Sequence, residues 1–163
     1  MRKLVISMLL TGLVFCLSTA FAEPAPKIGS EAPGLELLNL EGKSVSLQSL
    51  GKDKPVILVF FTSWSKSCQA ELKILQKLYS VKNRSFEVLA VSFDKKQKDL
   101  FSFIAGNGIT FPVLLDKKLS SLDRFQVLII PTTFCIDRRG VIRKIFVDYD
   151  DNVEKALTEW LKT

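Results

Sequence analysis

The pattern of apolar and polar positions along this chain predicts one domain that mixes strands and helices. Val56–Phe61 is an unbroken apolar run rich in β-formers, which is typical of a strand buried on both faces. Gln69–Val81 instead carries leucines at helical spacing, which predicts an amphipathic helix. Further strands are predicted at Phe86–Phe93, Thr110–Leu115, Thr132–Ile136 and Val141–Val147. Further helices are predicted at Lys95–Asn107, at Leu119–Phe125 and after the capping residues Asp150–Asn152.

Two hairpins complete the pattern. Leu35–Leu47 predicts a small N-terminal hairpin, with Glu41 and Gly42 as its turn residues. Asp137–Gly140 predicts a four-residue turn between the last two strands. The order β-α-β-α, followed by a hairpin and a helix, indicates an α/β sandwich with a mixed sheet.

The N-terminal residues form a separate segment. Met1–Lys3 is basic, Leu4–Leu17 is almost wholly apolar, and Ala20–Ala22 has the small-x-small pattern of a processing site. This order predicts a signal peptide over residues 1–22, whose removal leaves a mature domain of residues 23–163. An uncleaved anchor is the alternative, since the apolar segment is nearly long enough to span a bilayer. Either interpretation predicts an exported protein, in the periplasm or another extracytoplasmic compartment.

Composition narrows the class of function. The 163-residue chain has 23 basic residues, 17 acidic residues and no histidine. Without Arg2 and Lys3 the mature domain keeps 21 basic and 17 acidic residues, a net charge of +4. The lysines are scattered along the sequence, so we expect no nucleic-acid partner. The lack of histidine excludes imidazole metal ligands and histidine acid–base catalysis, and we expect neither a metal nor another cofactor.

The most informative motif follows the apolar run Val56–Phe61. Trp64-Ser65-Lys66-Ser67-Cys68 opens the predicted helix, and thioredoxin-like proteins present a Cys-x-x-Cys pair in such a strand–turn–helix setting. Here Ser65 holds the first thiol position. A serine hydroxyl does not replace the thiolate that attacks sulfur in thiol–disulfide exchange. Ser65 also has a structural interpretation, because serine is a preferred N-cap residue.

Segments spread over the whole mature chain resemble the TlpA/ResA branch of thioredoxin-fold proteins, in the AhpC/TSA–redoxin superfamily. They follow the order of that family and cover residues 28–33, 40–47, 64–71, 111–116 and 130–142. The resemblance implies a thioredoxin-like fold, in which helices flank a mixed central sheet and the N-terminal hairpin is an extension. It also implies a thiol–disulfide oxidoreductase ancestry, with a protein thiol or disulfide, or an extended peptide, as the partner.

The resemblance assigns roles around the turn. Ser65 stands at the position of the nucleophilic cysteine, Cys68 at that of the resolving cysteine, and Glu71 at that of a glutamate near the active thiols. Glu71 is either a proton-transfer group or an exposed first-turn acid favoured by the helix dipole. Cys68 is either a reactive thiol or a small buried apolar residue, because a helix start lowers a thiol pKa whereas burial raises it.

The resemblance also implies a substrate groove, formed by Trp64, Ile129, Ile130, Pro131 and Thr132. Pro131 is expected to be a cis proline, next to which the backbone pairs with an extended substrate segment. The simple alternative is a proline at the start of a strand. Relatives often carry glycine at the position of Ile129, so we expect its branched side chain to crowd the groove.

Cys135 is the second cysteine of the mature domain. It lies four residues beyond Pro131, which is about 13 Å along a strand. Because a disulfide needs Cα atoms within about 7 Å, we expect two free thiols, with Cys135 facing the core.

Two hypotheses for function follow. The first is an exported, monomeric thioredoxin-like protein with a monothiol or weakened redox role through Cys68. The second is a non-catalytic module that holds a peptide beside Pro131. Ser65 leaves open whether the chain is an enzyme, and a membrane is expected as a partner only if residues 1–22 are retained.

Overall fold

The computed structural model describes residues 25–162, so the predicted signal peptide or anchor lies outside the described residues. Within this range the strands are β1 (Glu36–Leu38), β2 (Ser44–Ser46), β3 (Val56–Phe61), β4 (Glu87–Ser92), β5 (Val113–Leu115), β6 (Thr132–Ile136) and β7 (Ile142–Val147). The helices are α1 (Leu47–Leu50), α2 (Lys66–Tyr79), α3 (Gln97–Gly106), α4 (Ser120–Phe125) and α5 (Val153–Trp160). None of these helices has the length and hydropathy that a membrane span requires.

The central sheet has the strand order β5-β4-β3-β6-β7. β3 is parallel to β4 and β4 is parallel to β5, whereas β6 runs antiparallel to β3 and β7. The sheet is therefore mixed, as the sequence pattern indicated. The carboxyl ends of the three parallel strands lie at one edge of the sheet, where ligand-binding segments of α/β proteins commonly meet. We call residues 62–65, 93–98 and 116–118, which follow these ends, the upper edge.

Two apolar cores cover the faces of the sheet. On one face α2, α3 and α5 bury Leu72, Leu100 and Leu157. On the other face lie α1, α4 and the N-terminal segment. Successive residues of β3 pack into opposite cores: Phe61 into the core formed with α2, α3 and α5, and Phe60 into the core formed with α1 and α4. This position between two cores explains why the β3 sequence is apolar throughout.

The N-terminal hairpin is confirmed as the antiparallel pair of β1 and β2. Gly42 adopts a left-handed φ of 77° in its turn, a conformation that glycine accepts without strain. The chain then forms α1, which the sequence analysis did not predict, because Leu47 was assigned to the hairpin. Ser46 caps this short helix by accepting a hydrogen bond from the Ser49 amide at 3.1 Å. The cap turns Leu47 into the core beneath the hairpin.

The β6–β7 hairpin is confirmed as well. Asp137 Oδ1 accepts hydrogen bonds from the amides of Arg139 at 2.8 Å and Val141 at 3.0 Å. Gly140 completes the turn with a φ of 78°. These contacts close the hairpin in which Thr132 pairs with Val147 and Thr133 with Phe146.

Candidate active site

The segment after β3 crosses the upper edge and begins α2. Trp64 is 73% exposed, whereas Thr62 and Ser63 before it are buried. Ser65 is extended (φ −78°, ψ 124°) and caps α2, its Oγ accepting a hydrogen bond from the Cys68 amide at 3.4 Å. This cap explains why α2 begins at Lys66 and not at Gln69 as predicted, since the residue after an N-cap is already helical.

A buried carboxylate holds this turn against β4. Asp94 accepts hydrogen bonds from the Ser63 amide at 2.8 Å and from the Ser63 hydroxyl at 2.7 Å. The Ser92 hydroxyl donates to the same carboxylate at 2.7 Å. From the helix side, Gln69 Nε2 donates to the Ser63 carbonyl at 2.7 Å. Ser63, directly before Trp64, is therefore hydrogen-bonded from both sides. Asp94 was not predicted as part of the site, because it lies 31 positions from Ser63.

Cys68 lies in the first turn of α2 with its side chain in the core. Its exposed fraction is 0%. Burial raises the pKa of the Cys68 thiol, while hydrogen bonding to the Ser65 side chain and the Thr62 backbone opposes that rise. The nearby carboxylates of Glu71 and Asp94 raise the pKa further. Of the two influences weighed from the sequence, burial therefore outweighs the helix start, and the thiolate is disfavoured.

Glu71 is also buried, with 1% of its surface exposed. The interpretation of Glu71 as an exposed first-turn acid is therefore wrong, because α2 begins at Lys66 and turns Glu71 toward the sheet. The Thr133 hydroxyl donates a hydrogen bond to Glu71 Oε1. Burial raises the pKa of Glu71 to about 7, with a smaller contribution from Asp148 and an opposing one from Thr133. A carboxyl group with this pKa exchanges protons readily near neutral pH, which suits proton transfer.

The Ile130–Pro131 peptide bond is cis, as predicted. The Pro131 carbonyl accepts a hydrogen bond from the Asp148 amide at 2.8 Å, which ties it to the loop after β7. The Thr132 hydroxyl donates to the Ile129 carbonyl at 2.6 Å. Ile130 packs against the same apolar core that contains Cys68. Ile130, which precedes the cis proline, and Cys68 in the first turn of α2 thus belong to the same core.

Ile129 is half-exposed beside the cis proline, at 51%. Its neighbour Leu128 is 94% exposed, and Val147 on β7 is also exposed. These side chains, with Pro26, help to line a cavity of about 260 Å³. Leu128 was not predicted as part of the site, although it belongs to the apolar run before Pro131, and no local pattern marked Val147. They extend the apolar surface around the predicted groove.

Both cysteines of the described residues, Cys68 and Cys135, are buried and free. The expected pair of free thiols is therefore confirmed for residues 25–162. Burial in β6 raises the pKa of the Cys135 thiol far above its ordinary value, so this thiol is unreactive in the folded protein. In the same part of the chain, no cluster of cysteine and carboxylate side chains is arranged to hold a metal ion.

Comparison with known proteins agrees with this geometry. Residues 28–145 match the AhpC/TSA family. The chain is similar to the thiol-disulfide oxidoreductase ResA of Geobacillus thermodenitrificans, with 32% identity over 148 residues, 89% of this chain and 84% of ResA. It is also similar to the thioredoxin-like protein YneN of Bacillus subtilis, with 37% identity over 122 residues, 73% of this chain and 71% of YneN.

Solved structures give the same result for the fold. A protein from Chlorobium tepidum, described as a thiol:disulfide interchange protein DsbE, superposes with a TM-score of 0.76 and 28% identity. The match covers 85% of this chain and 97% of that protein. The mixed sheet, the turn at the start of α2 and the cis proline thus occur in a thioredoxin-like fold. The chain therefore belongs to the AhpC/TSA family, as a thioredoxin-fold protein similar to the ResA thiol-disulfide oxidoreductases.

Proposed function

We propose that this protein is an exported member of the thiol-disulfide oxidoreductase family that lacks dithiol turnover and keeps a weakened, monothiol role through Cys68. The observation that carries the proposal is the identity of the N-cap of α2. Ser65 Oγ sits at the helix start and accepts a hydrogen bond from the Cys68 amide. A dithiol cycle begins with a thiolate at this position, and a hydroxyl does not attack sulfur in its place.

The proposed reaction uses one cysteine. The Cys68 thiolate attacks one sulfur of a partner disulfide, and the second partner sulfur leaves as a thiolate. The bond formed is a mixed disulfide between Cys68 and the partner. An external thiol then attacks the partner's sulfur, which releases Cys68 as a thiolate. Glu71 is the candidate acceptor of the proton that Cys68 loses, because its pKa lies at about 7 and it interacts electrostatically with Cys68.

Burial makes this reaction slow. Cys68 has no exposed surface and its pKa is raised, so both access and thiolate fraction are low. The first turn of α2 must open before a partner disulfide reaches the sulfur. A weakened activity follows from this geometry.

A second candidate function is a non-catalytic module that holds an extended polypeptide beside Pro131. The observation that favours it is that the Cys68 thiol is buried whereas large apolar side chains of the predicted groove and its surroundings are exposed. Trp64 is 73% exposed and Leu128 is 94% exposed. Exposed apolar side chains of this size suit contact with an extended segment.

Labelling of the native protein distinguishes the two candidates. The Cys135→Ala variant leaves Cys68 as the single thiol of the mature domain, and Cys68→Ala leaves Cys135. Labelling of Cys68 well before global unfolding, together with a mixed disulfide on exposure to oxidised glutathione, supports the monothiol role. Protection of Cys68 until the protein unfolds supports the binding module. Catalytic reduction of insulin by the wild type contradicts the premise that both candidates share.

A further inference from the structure

Lysines that are scattered in the sequence gather on the upper edge of the fold. They follow β4 and β5, they are all exposed, and we call them the lysine surface: Lys95, Lys96, Lys98, Lys117 and Lys118. Lys117 Nζ donates a hydrogen bond to Gln97 Oε1 at 3.3 Å, which joins the segment after β5 to the start of α3. Two separate parts of the chain thus form one basic surface.

Nearby acidic residues offset only part of the charge of this surface, since the segments 94–99 and 116–118 hold five lysines and three aspartates. Asp94 and Asp116 belong to the same segments but are buried. Their carboxylates accept hydrogen bonds from serines, Asp94 from Ser63 and Asp116 from Ser121. Asp99 is the exposed acid of the segment 94–99. Within residues 25–162, no lysine of the surface forms an ion pair.

The position of the lysines is unfavourable for the isolated domain. Lys95, Lys96 and Lys98 surround the N-terminal end of α3, where the helix dipole disfavours positive charge. Lys96 is the N-cap residue and makes no side-chain capping bond. Repulsion between neighbouring lysines adds to this effect. Sequences depart from local rules most often at functional sites, and a negatively charged partner would relieve the repulsion.

A groove with apolar and polar lining residues borders the lysine surface. A cavity of about 600 Å³ lies between β1 and the segment after β5. Leu37, Leu38 and Leu115 line it together with Lys117 and Lys118. The carboxylate of Glu36 also lies in the lining, where it accepts a hydrogen bond from the Ser44 hydroxyl. Leu38 is 57% exposed although it is a large apolar side chain. The groove thus offers apolar contacts directly beside unpaired positive charges.

We propose that the lysine surface and this groove dock an acidic polypeptide segment of a partner protein next to the candidate active site. A segment in which acidic and apolar residues alternate fits both features, because successive side chains of an extended chain point to opposite sides. A flat anionic membrane would meet the lysines but would leave the groove unfilled. Asp94 connects the surface to the turn, since it binds Ser63 beside Trp64 and directly precedes Lys95. Docking here is independent of thiol chemistry at Cys68.

The test measures binding of a short fluorescein-labelled peptide in which glutamate and leucine alternate, by fluorescence anisotropy. The test variant is Lys96→Gln, Lys117→Gln and Lys118→Gln together. A control variant with the same change in charge replaces the exposed lysines of the α2 and α5 region, Lys73→Gln, Lys82→Gln and Lys155→Gln. We expect the test variant to bind about tenfold more weakly than wild type at low salt, and the control to stay within about twofold. Rising salt should weaken wild-type binding most.

Four outcomes would overturn the proposal. The first is the absence of saturable binding to the wild type, and the second is an equal loss of binding in the two triple variants. The third is equally tight binding of a peptide in which lysine replaces glutamate. The fourth is lysine-dependent binding to phosphatidylglycerol vesicles that exceeds binding to the peptide, which would assign the surface to a membrane. Unfolding midpoints of both variants check that these exposed substitutions leave the fold intact.

Discussion

The Thr133 hydroxyl donates a hydrogen bond to Glu71 Oε1 and so joins β6 to α2 beneath the candidate active site. Both side chains are buried. Thr133 lies two positions beyond the cis proline, and Glu71 lies three positions beyond Cys68. The contact therefore places the ionisable carboxyl group of Glu71 between α2 and β6. Because burial raises the pKa of Glu71 to about 7, the stability of the fold is expected to change with pH.

Glu71→Gln is expected to stabilise the protein at alkaline pH. Between pH 4.5 and about 7 the folded state binds more protons at Glu71 than the unfolded state does. The contribution of Glu71 to the stability of the wild type is therefore fully present below the unfolded pKa. It is lost as the pH rises through the folded pKa. Glutamine keeps an acceptor for Thr133 and carries no charge. We expect a gain of up to about 3 kcal/mol on the alkaline side and little change on the acidic side.

Chemical unfolding across this pH range measures the effect of Glu71→Gln. Glu41→Gln, which removes an exposed carboxylate from the hairpin, is the control. An identical gain in stability at acidic and alkaline pH would show that the substitution acts through packing and not through proton linkage.

Ser65→Ala is expected to destabilise the protein by about 0.5–1 kcal/mol, through loss of the N-cap of α2. The long distance of 3.4 Å between Ser65 Oγ and the Cys68 amide argues for the lower part of this range. Ser65→Asp should retain the stability, because aspartate is an equally good cap. Denaturant unfolding compares the three proteins, and an unchanged alanine variant would mean that Asp94 alone maintains the turn.

Ser65→Cys is expected to gain measurable insulin reductase activity, while the wild type has none. A cysteine at the helix start would have its thiolate favoured by the free amides of the first turn, and Cys68 would lie three residues on to resolve the mixed disulfide. We expect partial activity only, because the branched side chain of Ile129 is expected to narrow the predicted groove. Ser67→Cys is the matched control, since it adds a thiol to the same turn at the wrong spacing. A folded Ser65→Cys protein that neither bridges to Cys68 nor reacts would favour the binding module.

Asp94→Ala is expected to destabilise the protein by about 1–3 kcal/mol, because the amide and hydroxyl of Ser63 lose their buried acceptor. The turn before Trp64 should also open more often, so that native labelling of Cys68 becomes faster. Asp99→Ala, at an exposed position, is the control. If labelling of Cys68 is unchanged in a destabilised Asp94→Ala protein, opening of the turn does not control the reactivity of this thiol.

The mature protein is expected to begin at Glu23 and to be soluble after export, because Ala20–Ala22 has the pattern of a processing site. Intact-mass measurement of exported material gives the answer directly. A mass that retains residues 1–22, together with recovery in the membrane fraction, would favour the anchor.

Patterns local in sequence predicted most of the fold. Val56–Phe61 became β3 with the predicted bounds, because an unbroken apolar run has few alternatives in a small domain. β5 is shorter than predicted and begins only at Val113, because Pro112 before it has no amide to donate to a neighbouring strand. α1 was missed because the apolar alternation of the hairpin continues into Leu47.

The parts of the site that the sequence did not reveal depend on long-range contacts. A glutamate in an amphipathic helix is usually exposed, whereas Glu71 is buried and bonds to Thr133, which lies 62 positions away in the sequence. Asp94 follows a different strand from Ser63, so no local pattern connects them. The lysine surface forms only when β4 and β5 pair in parallel and bring their ends together.

Because Cys135 is buried, the rate at which its thiol is labelled reports global unfolding of the protein. This residue lies in β6, between β3 and β7, so a reagent reaches its sulfur only when the central sheet separates. Under the proposed monothiol role, Cys68 reacts once the first turn of α2 opens. The difference between the reaction rates of the two thiols therefore separates local opening from global unfolding in a single sample. For the same reason, covalent crosslinking of chains through Cys135 during storage would be confined to molecules that have already unfolded.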